Sequence, residues 1–132
     1  ESLNFLVIYY PVKQNVASAM ITHVKFLNEV AECKVHTFIS TGMSKENEIK
    51  EVLKLVNKKN TFLLHCVSMY PCKPKLANLK RILSLKKKFK IPIGYSDHTI
   101  GINACIESLN LGAKIIEKHA KSLKDSKRFG RV

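Results

Sequence analysis

Tryptophan is absent from the 132 residues, and arginine nearly so: Arg81, Arg128 and Arg131 are the only arginines among 23 basic residues. Arginine supplies the planar fork that reads phosphates and base edges. Its scarcity, with the lysines spread along the chain apart from Lys86–Lys88, argues against a nucleic-acid interface despite the net charge of +13. The lysines read as decoration of solvated helices, with a modest field that attracts small anions as a by-product. No apolar run approaches the roughly 20 residues of a membrane span, so no membrane partner is expected. The opening ESLNFLVIYY has neither a basic segment nor a small-residue cleavage site, so it is not read as a signal peptide. The four cysteines, Cys33, Cys66, Cys72 and Cys105, contain no CxxC pair, which excludes the usual zinc-ribbon and disulfide-framework patterns. Reduced thiols and a cytoplasmic location are expected. No glycine-rich fingerprint follows any predicted strand, which weakens a dinucleotide-binding fold.

What is present is alternation. Apolar, β-rich segments at Asn4–Tyr10, Val16–Met20, Val35–Ser40, Thr61–Val67, Ile91–Tyr95 and Ala113–Lys118 are separated mostly by helical patterns. Thr22 is expected to cap a helix running to Glu32. Ser44 is expected to cap the best helix, where Ile49, Val52, Leu53 and Val56 recur at helical spacing. A third helix is predicted over Leu76–Phe89, with Leu79, Ile82 and Leu83 inward. A fourth is predicted over Ile102–Leu111, with Ile102, Cys105, Ile106 and Leu109 on one face. Strands alternating with helices, without a long linker, imply one α/β domain with a parallel sheet. A full (β/α)8 TIM barrel takes about 250 residues, so residues 1–132 hold about half of one. The basic tail Ala120–Val132 has no clear period.

Functional sites of such folds lie at the C-terminal edge of the sheet. Polar residues gather there: Ser18, Ser40 and Thr41, Ser68 and Tyr70, Ser96-Asp97-His98, and Glu117 with His119. Small hydroxyls at loop-to-helix junctions suit a phosphate or carboxylate. His98 and His119 end two strands joined by a single helix, so the two imidazoles can meet, as a divalent-metal pair or as two solvated histidines. Period two puts Glu117 and His119 on one face and Lys118 on the other. Lys118 is then a structural lysine rather than a Schiff-base former. His65, inside an apolar strand, reads as a hydrogen-bonded core histidine. His23 and His36 carry no partner signal.

The words VASAMIT (16–22), ISTGMS (39–44), LLHCVSMYP (63–71), IPIGYSDHTIGI (91–102) and LGAKIIEKH (111–119) carry a more specific signal. In this order and spacing they resemble the sialic acid (N-acetylneuraminate) synthase family and its legionaminic and pseudaminic acid relatives. The resemblance runs from about Val16 to His119, with 1–15 and 120–132 divergent. It implies the C-terminal half of the family's catalytic barrel. It also implies carbohydrate biosynthesis by a transferase: phosphoenolpyruvate condenses with an N-acetylated, mannosamine-type amino sugar, a nine-carbon keto acid forms and phosphate is released. Carried over by motif, His98 of GYSDH and His119 of EKH are the ligands of a divalent metal, Mn2+ or Mg2+. Ser40 and Ser96 line the phosphoenolpyruvate site, and Ser68 and Tyr70 lie where the family holds its substrates. A full-length form is expected to be a homo-oligomer.

Some members carry Asn at the position of Ser68, and some carry Gly at that of Asp97, which implies a lesser role for the aspartate. Lys34 is offset by one residue from the family's phosphoenolpyruvate-binding lysine. Without the strands that carry the sugar side, this chain alone is expected to be inactive. The competing reading is a truncated, non-catalytic remnant that at most binds anions or a partner chain.

Overall fold

A computed structural model describes residues 13–119; the strand expected over Asn4–Tyr10 and the tail from Ala120 lie outside the described residues. The elements are β1 (Lys13–Val16), α1 (Val24–Glu32), β2 (His36–Ser40), α2 (Glu46–Leu55), β3 (Thr61–Cys66), α3 (Arg81–Phe89), β4 (Ile93–Asp97), α4 (Asn103–Asn110) and β5 (Ile116–Lys118). All five strands are parallel and lie in chain order, β1-β2-β3-β4-β5. Consecutive parallel strands with intervening helices make the expected half-barrel.

The register builds the core. Val16, Ile39, Leu63 and Ile93 stand side by side across four strands, and all are essentially inaccessible. Alternation sends this layer toward the helices, where Leu27, Val30, Ile49 and Val52 meet it. Each such buried side chain contributes about 1.5–3 kcal/mol. The concave face is lined by Phe38, Leu64, Ile115 and Glu117, around a cavity of about 290 Å³. Curling is strong enough for Asn15 Nδ2 on β1 to donate to Glu117 Oε2 on β5 at 2.5 Å, joining the two edge strands.

Several local expectations need correction. Val16–Met20 is not a strand: β1 ends at Val16 and Ser18–Met20 forms a 3-10 turn. His23, not Thr22, caps α1, its Nδ1 accepting from the Phe26 amide at 3.2 Å. Ser44 does not cap α2. Lys45 occupies that position, its amide donating to Glu48 Oε2 at 2.7 Å. The third helix begins at Arg81 rather than Leu76, because Pro74–Leu76 makes a 3-10 turn and Asn78 takes φ +46°. A left-handed residue interrupts α-helical progression, and in the resulting register Leu83 faces out while Ile82 and Leu85 face in.

Of the apolar face expected on α4, only Cys105 is buried. Ala104, Cys105 and Ser108 are buried, while Ile102, Ile106 and Leu109 are each more than half exposed. Small side chains let α4 approach the sheet, and the larger ones are left outside.

Candidate functional site

The site is built by the loop that follows β3. Val67 to Cys72 folds back over the end of β4 and is pinned there twice by His98. The His98 carbonyl accepts from the Cys72 amide at 2.7 Å, and His98 Nδ1 lies 2.6 Å from the Val67 carbonyl. A carbonyl only accepts, so the proton of the neutral ring sits on Nδ1 and Nε2 keeps its lone pair. Tyr70 lies across the His98 ring with centroids 3.9 Å apart. His119, just past β5, meets Tyr70 edge-on at 5.6 Å and faces His98 at 5.7 Å. The strand–helix–strand unit therefore brings the two histidines together, and Tyr70 joins them.

Ser96, the penultimate residue of β4, is buried. Its hydroxyl donates to Glu117 Oε1 at 2.6 Å and lies 3.4 Å from His98 Nε2. Glu117 thus receives Ser96 on one oxygen and Asn15 on the other. Ser40 is buried at the end of β2, and Ser68 is exposed in the loop after β3. Ser68 approaches the backbone of Gly42, where a Cβ would come within 2.9 Å of its hydroxyl and 2.7 Å of the Cys66 sulfur. Among the described residues no side-chain hydrogen bond ties Ser40 or Ser68 to the histidine pair.

The sequence places Glu117 only in the strand-end polar cluster and gives Asn15 no role. Period two had already placed Glu117 beside His119. Nothing local pointed to Asn15, because its partner is 102 positions away.

Behind this face lies a buried polar network centred on Asp97. Its carboxylate accepts from the Thr99 amide at 2.8 Å, Lys118 Nζ at 2.6 Å, Cys105 Sγ at 3.0 Å and the Tyr95 hydroxyl at 3.1 Å. Burial by itself would raise the Asp97 pKa, but the bonds from Lys118, Cys105 and Thr99 outweigh it and hold the carboxyl well below the usual range. Burial and the adjacent carboxylate push the Cys105 thiol up to about 11. Asp97, for which the resemblance implies a lesser role in the site, accepts four hydrogen bonds in this network. Lys118 points away from the histidines and also donates to the Thr99 carbonyl, as a structural lysine does.

Among the described residues no group of three or more His, Cys, Asp or Glu side chains is placed to hold a metal ion. The pair His98 and His119 nevertheless fits one as a partial site. A ring whose Nδ1 is held by a backbone carbonyl presents Nε2 outward, the usual posture of a metal-ligating histidine. Among the described residues no helix is long and apolar enough to cross a membrane.

A family model described as the NeuB family matches residues 1–128. The N,N'-diacetyllegionaminic acid synthase of Campylobacter jejuni is 40% identical over 109 residues, covering 79% of this chain and 33% of its own. The N-acetylneuraminate-9-phosphate synthase of Mus musculus is 36% identical over 107 residues, covering 79% of this chain and 30% of its own. Among solved structures, an N-acetylneuraminic acid (sialic acid) synthetase from Leptospira borgpetersenii, in complex with citrate, superposes with a TM-score of 0.85 at 37% identity. That match covers 90% of this chain and 42% of the other. The chain thus spans about a third of the length of the curated relatives it matches.

Proposed function

We propose, for a chain that belongs to the NeuB family, that it forms the metal and phosphoenolpyruvate side of a sialic acid synthase-type catalytic barrel. The reaction is condensation of phosphoenolpyruvate with an N-acetylated amino sugar, with release of phosphate, in the cytoplasm. The observation that carries this reading is the ring cluster of Tyr70, His98 and His119 at the strand ends, with Nδ1 of His98 committed to Val67.

His98 and His119 would hold Mn2+ or Mg2+, which when bound supplies Lewis-acid polarisation of the sugar aldehyde. Tyr70 packs on His98 and limits its rotation. Ser96 stands beside the same ring on the phosphoenolpyruvate side; its one proton goes to Glu117, so its hydroxyl donates to a phosphate or carboxylate oxygen only by leaving that bond. Ser40 and Ser68, at the ends of neighbouring segments, offer further hydroxyls to phosphoenolpyruvate. Glu117 holds Ser96 and Asn15 in place across the concave face.

Titrating Mn2+ against the wild type, His98→Ala and His119→Ala tests the assignment. Two imidazoles alone make an incomplete site, so wild-type binding should be weak and should vanish in either variant. Equal affinity in all three would remove the metal assignment. With phosphoenolpyruvate and N-acetylmannosamine, this span alone should show no turnover; measurable turnover would mean that the sugar side needs no further strands.

A further inference from the structure

On the outer side of the β2–α2 turn lies a second polar cavity, of about 310 Å³, between the starts of α2 and α3. Ser44, Lys45, His65, Asn78 and Arg81 line it, and Val67, whose carbonyl holds His98, completes the wall toward the histidine pair. A shallower cavity continues outward over Lys45, Asn47 and Arg81.

The described residues contain two buried side-chain polar atoms without any hydrogen-bond partner, Ser44 Oγ and His65 Nδ1. Both residues border this one cavity, and both are more than nine-tenths buried, at 8% and 2% exposure. His65 Nε2 is 2.8 Å from the Ala77 carbonyl and must carry the ring proton. Its Nδ1 is therefore a bare acceptor. An unpartnered buried polar atom costs about 1–3 kcal/mol, so a pair at one cavity calls for a group that supplies the missing bonds.

The surroundings favour an anion that also carries O–H. The leading amides of a helix have no partner within it, and Lys45 at the cap position has no side-chain acceptor to give those of α2. The positive end of the helix dipole points the same way. Arg81 opens α3 from the facing bank, is only partly exposed, and makes no ion pair or side-chain hydrogen bond among the described residues. Its charge is felt by both His65 and Glu46. The carboxylates nearby are already engaged: Glu46 pairs with Lys88, and Glu48 accepts from the Lys45 amide.

We propose that this cavity binds a phosphate group, either inorganic phosphate or a small phosphate monoester, between Arg81 and the first turn of α2. Arg81 and Lys45 supply charge and donors, the α2 amides supply further donors, Ser44 donates, and His65 Nδ1 accepts from a ligand O–H. The cavity adjoins the concave side at Gly42 and Cys66, beside Ser68, but its polar groups are different ones, and the proposal does not rest on the synthase reading.

The test is an amide-resolved NMR titration of the full chain with inorganic phosphate and, separately, with a hexose 6-phosphate. Saturable shifts are expected at Glu46, Asn47 and Arg81. Arg81→Gln, a partly exposed position that leaves the core intact, should weaken them at least tenfold, and Ser44→Ala several-fold. Ser40→Ala, which alters only the concave face, should leave them unchanged. Tighter binding of the hexose phosphate identifies a monoester ligand; equal or weaker binding identifies free phosphate. The proposal falls if these amides do not respond to either probe, if Arg81→Gln binds like the wild type, or if Ser40→Ala rather than Arg81→Gln removes the response.

Discussion

Asp97 and Lys118 stand directly opposite each other in the register of β4 and β5, with Lys118 Nζ 2.6 Å from the carboxylate. Their neighbours, Ser96 and Glu117, pair across the same two strands on the other face. One pair of strands therefore carries an ion pair behind and a site in front, and the first holds the register that the second depends on.

Lys118→Met should destabilise the fold by about 3–5 kcal/mol, the usual consequence of stranding a buried charge, read from denaturant midpoints. The pH dependence follows from the lowered Asp97 pKa. The stabilisation is complete above the ordinary carboxylate value of about 3.8 and is lost as pH falls below it toward the depressed folded-state pKa. Asp97→Asn should be less stable than wild type at neutral pH, with the gap closing on acidification. A gap that stays constant from pH 6 to pH 2 would mean that the carboxylate charge is not the stabilising feature.

Gly94 sits where β3, β4 and β5 crowd together. A Cβ there would lie 2.6 Å from Leu64 Cδ2 and 2.8 Å from the Ile115 carbonyl. The carbonyl belongs to the backbone and cannot rotate away. Gly94→Ala should cost about 1–3 kcal/mol, and an unchanged thermal midpoint would show that β5 is more loosely held than described.

The Tyr70 ring lies tilted against that of His98, at 33° with centroids 3.9 Å apart, so the ring is expected to matter more to the metal pair than the hydroxyl. Tyr70→Phe should preserve Mn2+ affinity, whereas Tyr70→Ala should lower it several-fold. The reverse order would make the phenol itself a ligand-binding group.

Ile106 and Leu109 on α4, and Ile100 and Ile102 just before it, are exposed apolar side chains close together in sequence. Exposed apolar groups promote association, so the chain alone should self-associate, and Ile106→Lys with Leu109→Lys should reduce the apparent mass in light scattering. Equal mass for both proteins would move the cause to the sheet edges.

The sequence by itself determined the order of strands and helices, their parallel pairing and the meeting of His98 with His119. Apolar periodicity specifies elements, and a strand–helix–strand unit leaves one practical way to pair its strands. It also placed Glu117 beside His119, because strand alternation is local. Tertiary structure decided what no window could hold. The Tyr70 ring reaches His98 only because the 67–72 loop is tied to His98 at both ends, through the Val67 carbonyl and the Cys72 amide. Which face of α4 is buried depended on how closely Ala104, Cys105 and Ser108 let it approach the sheet, whereas apolarity alone favoured a face that shares only Cys105 with it. Asn15 reaches Glu117 through the curvature summed over five strands. The Ser44 hydroxyl lost its capping role when Lys45 took the cap and the turn carried Ser44 inward, against the wall that also holds His65.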